Sequence, residues 1–226
     1  MSKRVLIAVF CMAFAGRAHA ADVQLGNVTL KLDPPAGECA FDPGQASDKR
    51  MIDFLNTALG NGGIDLLGMN ADCGELRDWR AGSLPLLKHF AQYQIAKASR
   101  TTSFTLKEAA AACAQTREQG AKMASDSTGE ANDSIHKANS KIDFQGQTFL
   151  GVLAQDPNGC YVGMFQKYKA ETGAIVSQLN VFFMGSIKDR AVNFYLWGPH
   201  ENDASVATML TAVQAQVAKV KSANGL

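Results

Sequence analysis

The side chains able to do chemistry are scattered through this chain of 226 residues, and their spacing limits what each can do. Past residue 20 there are three histidines, His89, His136 and His200, and no two form the H-x-x-x-H or H-E-x-x-H pattern that turns both rings toward zinc. His200-Glu201-Asn202-Asp203 gathers the most ligand types in one place. It reads as a polar entry loop with Asp203 as N-cap, or alternatively as the base or metal-binding segment of a hydrolase using His200, Glu201 and Asp203. No G-x-S-x-G surrounds a serine, since Gly82-Ser83 and Gly185-Ser186 lack the flanking glycine of a nucleophile elbow. Glycosidase chemistry needs two carboxylates on one cleft, and no spacing selects a pair. Asp72, Glu75 and Asp78 lie beside Arg77 and Arg80 and read as a solvated, locally neutralised segment, with Trp79 as a core anchor. Gly60-Asn61-Gly62-Gly63 follows a helix, so it ends that helix and does not cradle phosphate. The expectation is a chain with no catalytic residue, no metal and no cofactor.

The sulfur chemistry depends on the compartment. Lys3 and Arg4 precede an apolar run from Val5 to Ala15, and Ala18-His19-Ala20 is a small-x-small site, the order of parts in a secretory signal peptide cleaved after Ala20. Its removal takes away Lys3, Arg4 and Arg17 and leaves a slightly acidic product, with no second apolar run of about 20 residues to span a bilayer. A periplasmic or secreted chain is expected, and Cys39, Cys73, Cys113 and Cys160 then form two disulfides. Three pairings are open; Cys39–Cys73 and Cys113–Cys160 are favoured because each joins neighbouring elements. Each bridge stabilises by roughly 3.5–4 kcal/mol in the chain-entropy model. With 22 Lys+Arg against 21 Asp+Glu, electrostatically driven nucleic-acid binding is excluded.

The elements that must position these residues follow from periodicity. Val23 to Leu32 reads as a strand stopped by Pro34-Pro35. Ser47 caps a helix carrying Met51, Phe54, Leu55, Ala58 and Leu59; strands follow over Ile64–Asn70 and His89–Lys97. Thr105 and Glu108 form a capping box for a helix reaching about Met123, and 125–141 reads as a polar surface loop with at most a short helix near Ile135. Four strand-like runs come next, Gln147–Ala154, Cys160–Lys169, Ala174–Met184 and Arg190–Trp197. A helix from about Asp203 carries Val206, Met209, Leu210, Val213, Val217 and Val220 on one stripe. The fold class is α+β: an antiparallel sheet, mostly a C-terminal meander plus N-terminal strands, flanked by helices in one domain over 21–226.

Turning the last hairpin about Ile187-Lys188 sets Val181 opposite Phe194, Leu179 opposite Leu196 and Phe183 opposite Val192. Its other face collects Gln178, Asn180, Asn193, Tyr195 and Trp197, amides and amphipathic rings suited to recognition.

The early strand ending in Leu32-Asp33-Pro34-Pro35-Ala36-Gly37, with the meander and long final helix, resembles the PsbP and DcrB-like superfamily. That resemblance implies an antiparallel sheet between helices and an exported accessory protein without a shared active site. The sequence expectation is therefore a non-enzymatic exported protein. It would offer the Gln178–Trp197 face to a periplasmic protein or a small ligand.

Overall fold

The computed structural model describes residues 21–137, 143–169 and 173–226; the expected signal peptide over 1–20 lies outside them. The described residues open with β1 (Ala21–Leu25) and β2 (Val28–Leu32), which among them pair with each other only. The single strand expected over Val23–Leu32 is thus a hairpin. Gly26, with φ of 60°, supplies the positive φ that a two-residue Gly-first turn demands.

Next come β3 (Glu38–Ala40), α1 (Ala46–Asn61), β4 (Ile64–Asp72), α2 (Cys73–Arg80) and β5 (Phe90–Ala96). After them stand α3 (Leu106–Lys137), β6 (Asp143–Asp156), β7 (Gly159–Lys169), β8 (Ile175–Ile187), β9 (Arg190–Gly198) and α4 (Ala204–Ala223). Seven strands form one antiparallel sheet in the order β3-β4-β5-β9-β8-β7-β6, so the fold is α+β with helices on both faces.

One face is apolar and continuous. Tyr93, Ile95, Val181, Phe183, Val192 and Phe194 pack there under Val213, Val217 and Val220 of α4 and under Leu25, Leu30 and Leu32 of the hairpin. The other face carries two separate apolar clusters. Phe41, Met69, Ala71, Leu76 and Leu87 gather with α1 and Trp79 at the β4 end, while Val162, Cys113 and Cys160 gather under α3 at the β7 end.

Three further sequence expectations need correction. Ser47 is not the cap of α1: the helix starts at Ala46 after Gln45, which makes no side-chain cap bond, and the Ser47 hydroxyl donates to Asp48 Oδ1 at 3.0 Å. Of the polar stretch expected as a loop over 125–141, the part through Lys137 is helical, and 138–141 lies outside the described residues. Polar residues there cover the solvent side of a helix whose inner side meets β6. Asn132 ties the helix down, its Oδ1 accepting from the Phe144 N–H at 2.7 Å and its Nδ2 donating to the Phe144 carbonyl at 2.8 Å.

The third correction concerns the last hairpin. Val181 pairs with Leu196, Phe183 with Phe194 and Gly185 with Val192, a two-residue shift from the expected register. The turn is Lys188-Asp189, both at positive φ (49° and 55°), as a type I′ turn requires. A shift of two preserves which face each side chain takes, so the inward and outward sets survive.

Candidate functional site

The five face residues chosen from sequence lie together, between the two apolar clusters of the α1/α3 side. Gln178, Asn180 and Trp197 are buried; Asn193 and Tyr195 are half-buried. Neighbouring amides join them: Gln94 Nε2 donates to Gln92 Oε1 at 2.6 Å, and Trp197 Nε1 donates to Gln166 Oε1 at 3.1 Å. Asn180 Nδ2 is spent on the Leu196 carbonyl at 3.0 Å. Four rings stack across the strands, Phe90 on Trp197 (4.8 Å), Trp197 on Tyr195 (5.3 Å) and Tyr195 on Phe182 (4.8 Å). Burial pushes the Tyr195 phenol up to about 12, so it stays protonated.

The opposite face holds a cleft of about 530 Å³ between the β3–β4 edge and the start of α4. Of the five chosen residues only Trp197 reaches it. Its polar walls are Glu38, Asp72, His89, Glu201, Asn202 and Ser205, and its apolar walls include Leu196, Pro199 and Met209. A volume of this size suits a small molecule.

Local sequence explains how these groups are held. The Glu38 N–H donates to the Pro35 carbonyl at 3.1 Å, closing a turn in which Gly37 takes φ of 81°. Lys219 Nζ donates to the Pro34 carbonyl at 3.0 Å, and Gln216 Nε2 donates to the Asp33 carbonyl at 2.6 Å, so α4 clasps the segment that delivers Glu38. Glu38 and Asp72 are paired across the β3–β4 ladder. Beside them Cys39 and Cys73 are bridged, with Cα atoms 4.9 Å apart; Cys113 and Cys160 form the second bridge, at 5.8 Å.

Asp72 caps α2, its Oδ1 accepting from the Gly74 and Glu75 N–H groups at 2.9 and 3.0 Å. Glu75 Oε2 accepts from the Lys88 and His89 N–H groups, and its Oε1 lies 2.7 Å from His89 Nδ1. Burial alone would raise Glu75, but those bonds hold its carboxyl below the usual range. The segment read as merely solvated is therefore a short, tethered helix whose N-cap, Asp72, lines the cleft.

Glu38 differs from its neighbours. Its Oε2 is buried and meets no hydrogen-bond partner among the described residues. Burial, with the Asp72 charge adding to it, pushes the Glu38 carboxyl up to about 7.

The His200–Asp203 segment does not act as a unit. Glu201 and Asn202 line the cleft, the His200 ring meets the edge of Phe165 at 5.6 Å, and Asp203 sits at the N-cap of α4 without a side-chain bond. Asn202 and Ser205 do that capping, Asn202 Oδ1 accepting from the Ala204 N–H at 2.9 Å and Ser205 Oγ from the Glu201 and Asn202 N–H groups. Among the described residues no three His, Cys, Asp or Glu side chains gather as a metal ion would need. No helix among them is long and apolar enough to cross a membrane.

Sequence reasoning missed Glu38 and Asp72 as cleft residues, although a signal existed. A Cys39–Cys73 bridge brings residues 38 and 72 side by side. Comparison with protein-family models, with curated proteins and with solved structures gives no match.

Proposed function

We propose that this chain is an exported, non-catalytic binding protein and that the Glu38 cleft is where it holds a small ligand. The observation that carries this reading is the cleft itself, about 530 Å³ in volume, with Glu38, Asp72 and Glu201 beside the apolar Leu196, Pro199 and Met209 on its walls. The signal-like first twenty residues and the two disulfides support export. The meander and long C-terminal helix support an accessory role like that of PsbP and DcrB-like proteins. The aromatic and amide face between α1 and α3 remains the place for a protein partner in this reading.

The test is retention of small molecules from a metabolite extract, with the exported protein compared against Glu38→Gln and against a Tyr195→Ala, Trp197→Ala double variant. A compound held by the wild type and released by Glu38→Gln supports the cleft. One released only by the folded double variant moves the site to the aromatic face.

A second reading, a hydrolase, draws on one observation: an acid near neutrality beside Asp72 and Glu201 in a single cleft. Turnover in an esterase, peptidase and glycosidase screen that Glu38→Gln abolishes would replace binding with catalysis.

A further inference from the structure

We infer that the Cys39–Cys73 bridge is a reducible latch on the cleft: exchange with an exported dithiol frees the segment 35–40, which supplies part of one wall, while Cys113–Cys160 stays closed. This rests on the cleft reading for its consequence alone, the release of what the cleft holds.

The two bridges have opposite surroundings. Cys113 and Cys160 are wholly buried where α3 meets β7, among Phe149, Val162 and Met164. A thiolate reaches them only when α3 lifts off the sheet. Cys73 is exposed at the start of α2, and Cys39 is half-buried on β3, the edge strand. Exchange needs access of a thiolate to a sulfur, so the outer bridge reacts first.

The outer bridge pins a short segment between two anchors. Upstream, Gln216 and Lys219 of α4 hold the Asp33 and Pro34 carbonyls. Downstream, Phe41 is buried in the α1 cluster, and its N–H donates to the Met69 carbonyl at 3.0 Å. Between these anchors Ala36, Gly37 and Glu38 line the cleft. Without the bridge this segment keeps only its backbone attachments: the short β3–β4 ladder and the Cys73 N–H donating to the Gly37 carbonyl at 3.2 Å. Docking it also buries the Glu38 carboxyl opposite Asp72, which is unfavourable, so the bridge works against a local cost.

The exchange balances with the dithiol as sole reactant. One of its thiolates attacks Cys73 Sγ, the S–S bond breaks, and Cys39 leaves as a thiolate. The second sulfur of the dithiol then closes its own disulfide and expels Cys73. Two electrons pass to the protein, and the two protons of the dithiol end on Cys39 and Cys73.

The disulfide-bonded exported protein is treated with limiting dithiothreitol, trapped with iodoacetamide and mapped by peptide mass, while backbone amide exchange is followed in parallel. The expected pattern is alkylated Cys39 and Cys73 with Cys113–Cys160 intact. The Glu38 and Cys73 amides, which donate to the Pro35 and Gly37 carbonyls, should then exchange about tenfold faster or more, with the β7 and β8 amides unchanged. The Cys39→Ser, Cys73→Ser variant should show the same fast exchange without reductant. Opening of Cys113–Cys160 first, or of both bridges together, would overturn the latch. So would an outer bridge that opens while the Glu38 and Cys73 amides keep their protection, or one whose reduction unfolds the whole chain. Neither readout needs a bound molecule, so the latch is decided separately from the retention experiment on the cleft.

Discussion

Glu38 and Asp72 stand opposite each other on the outermost strand pair of the sheet, and the disulfide between Cys39 and Cys73 locks that pair at its flank. Two like charges and partial burial in one place are unfavourable for the fold alone. Such a local cost suits a site that is completed by something else.

The first prediction follows from that cost. Glu38 binds its proton up to about 7 in the folded protein but only to 4.5 in the unfolded chain, so stability is greatest below 4.5 and falls as pH rises through 7. Replacing Glu38 by Gln should leave stability at pH 4 nearly unchanged and raise it by roughly 2–3 kcal/mol at pH 8. Urea unfolding at the two pH values measures this; equal effects at both would contradict it.

A buried ion pair behaves in the opposite sense. Asp48 is fully buried in α1, with Arg80 Nε donating to its Oδ1 at 3.0 Å and the Asp42 N–H donating to its Oδ2 at 2.8 Å. Burial would raise its pKa, but Arg80, Asp42 and Ser47 together hold it below 3.8, so its contribution is present above 3.8 and lost as pH falls through the lower folded value. Arg80→Met should cost about 3–5 kcal/mol at pH 7 by leaving the carboxylate unpaired, and adding Asp48→Asn should recover part of it. A double-mutant cycle by denaturant unfolding gives the coupling; strictly additive effects would show that the pair does not interact.

Glycine contacts give a graded series. A Cβ on Gly159 would fall on the Met184 carbonyl oxygen and the Gly185 backbone, which cannot move without breaking the β7–β8 ladder. A Cβ on Gly120 would meet the Phe149 ring, a half-buried side chain able to turn aside. Gly159→Ala should therefore destabilise by about 3 kcal/mol or more, and Gly120→Ala by about 1–2. Thermal unfolding ranks them, and the reverse order would refute the packing argument.

Strain in the last turn is relievable. Lys188 and Asp189 both hold positive φ without being glycine. Asp189→Gly keeps the carbonyl that accepts from the Phe104 N–H at 3.0 Å and should stabilise the fold by about 0.5–1 kcal/mol. A lower melting temperature for this variant would mean that the turn tolerates Asp without strain.

The same turn shows what the sequence could and could not tell. Period-two alternation identified the faces of β8 and β9, because facing depends on parity, but the register needed the turn type, and Lys-Asp is not a residue pair that announces a type I′ turn. Gly26-Asn27 marks the β1–β2 hairpin, but loose alternation on both sides of it led to the expectation of one strand over Val23–Leu32. The helical run beyond Met123 was hidden because α3 needs only small residues, Ala109, Cys113, Gly120 and Ala124, on its buried side. The amide and aromatic face could be read from one hairpin. The cleft could not, since it joins residues 34 positions apart with the entry to α4, and only the bridging cysteines hinted at that meeting.

The most direct measurement is the ¹³C carboxyl titration of Glu38 in the folded protein, compared with Asp72→Asn. A midpoint near 7 that falls when the Asp72 charge is removed is the predicted result. A midpoint at the ordinary value of 4.5 would contradict a carboxyl held protonated by burial beside Asp72 in the cleft.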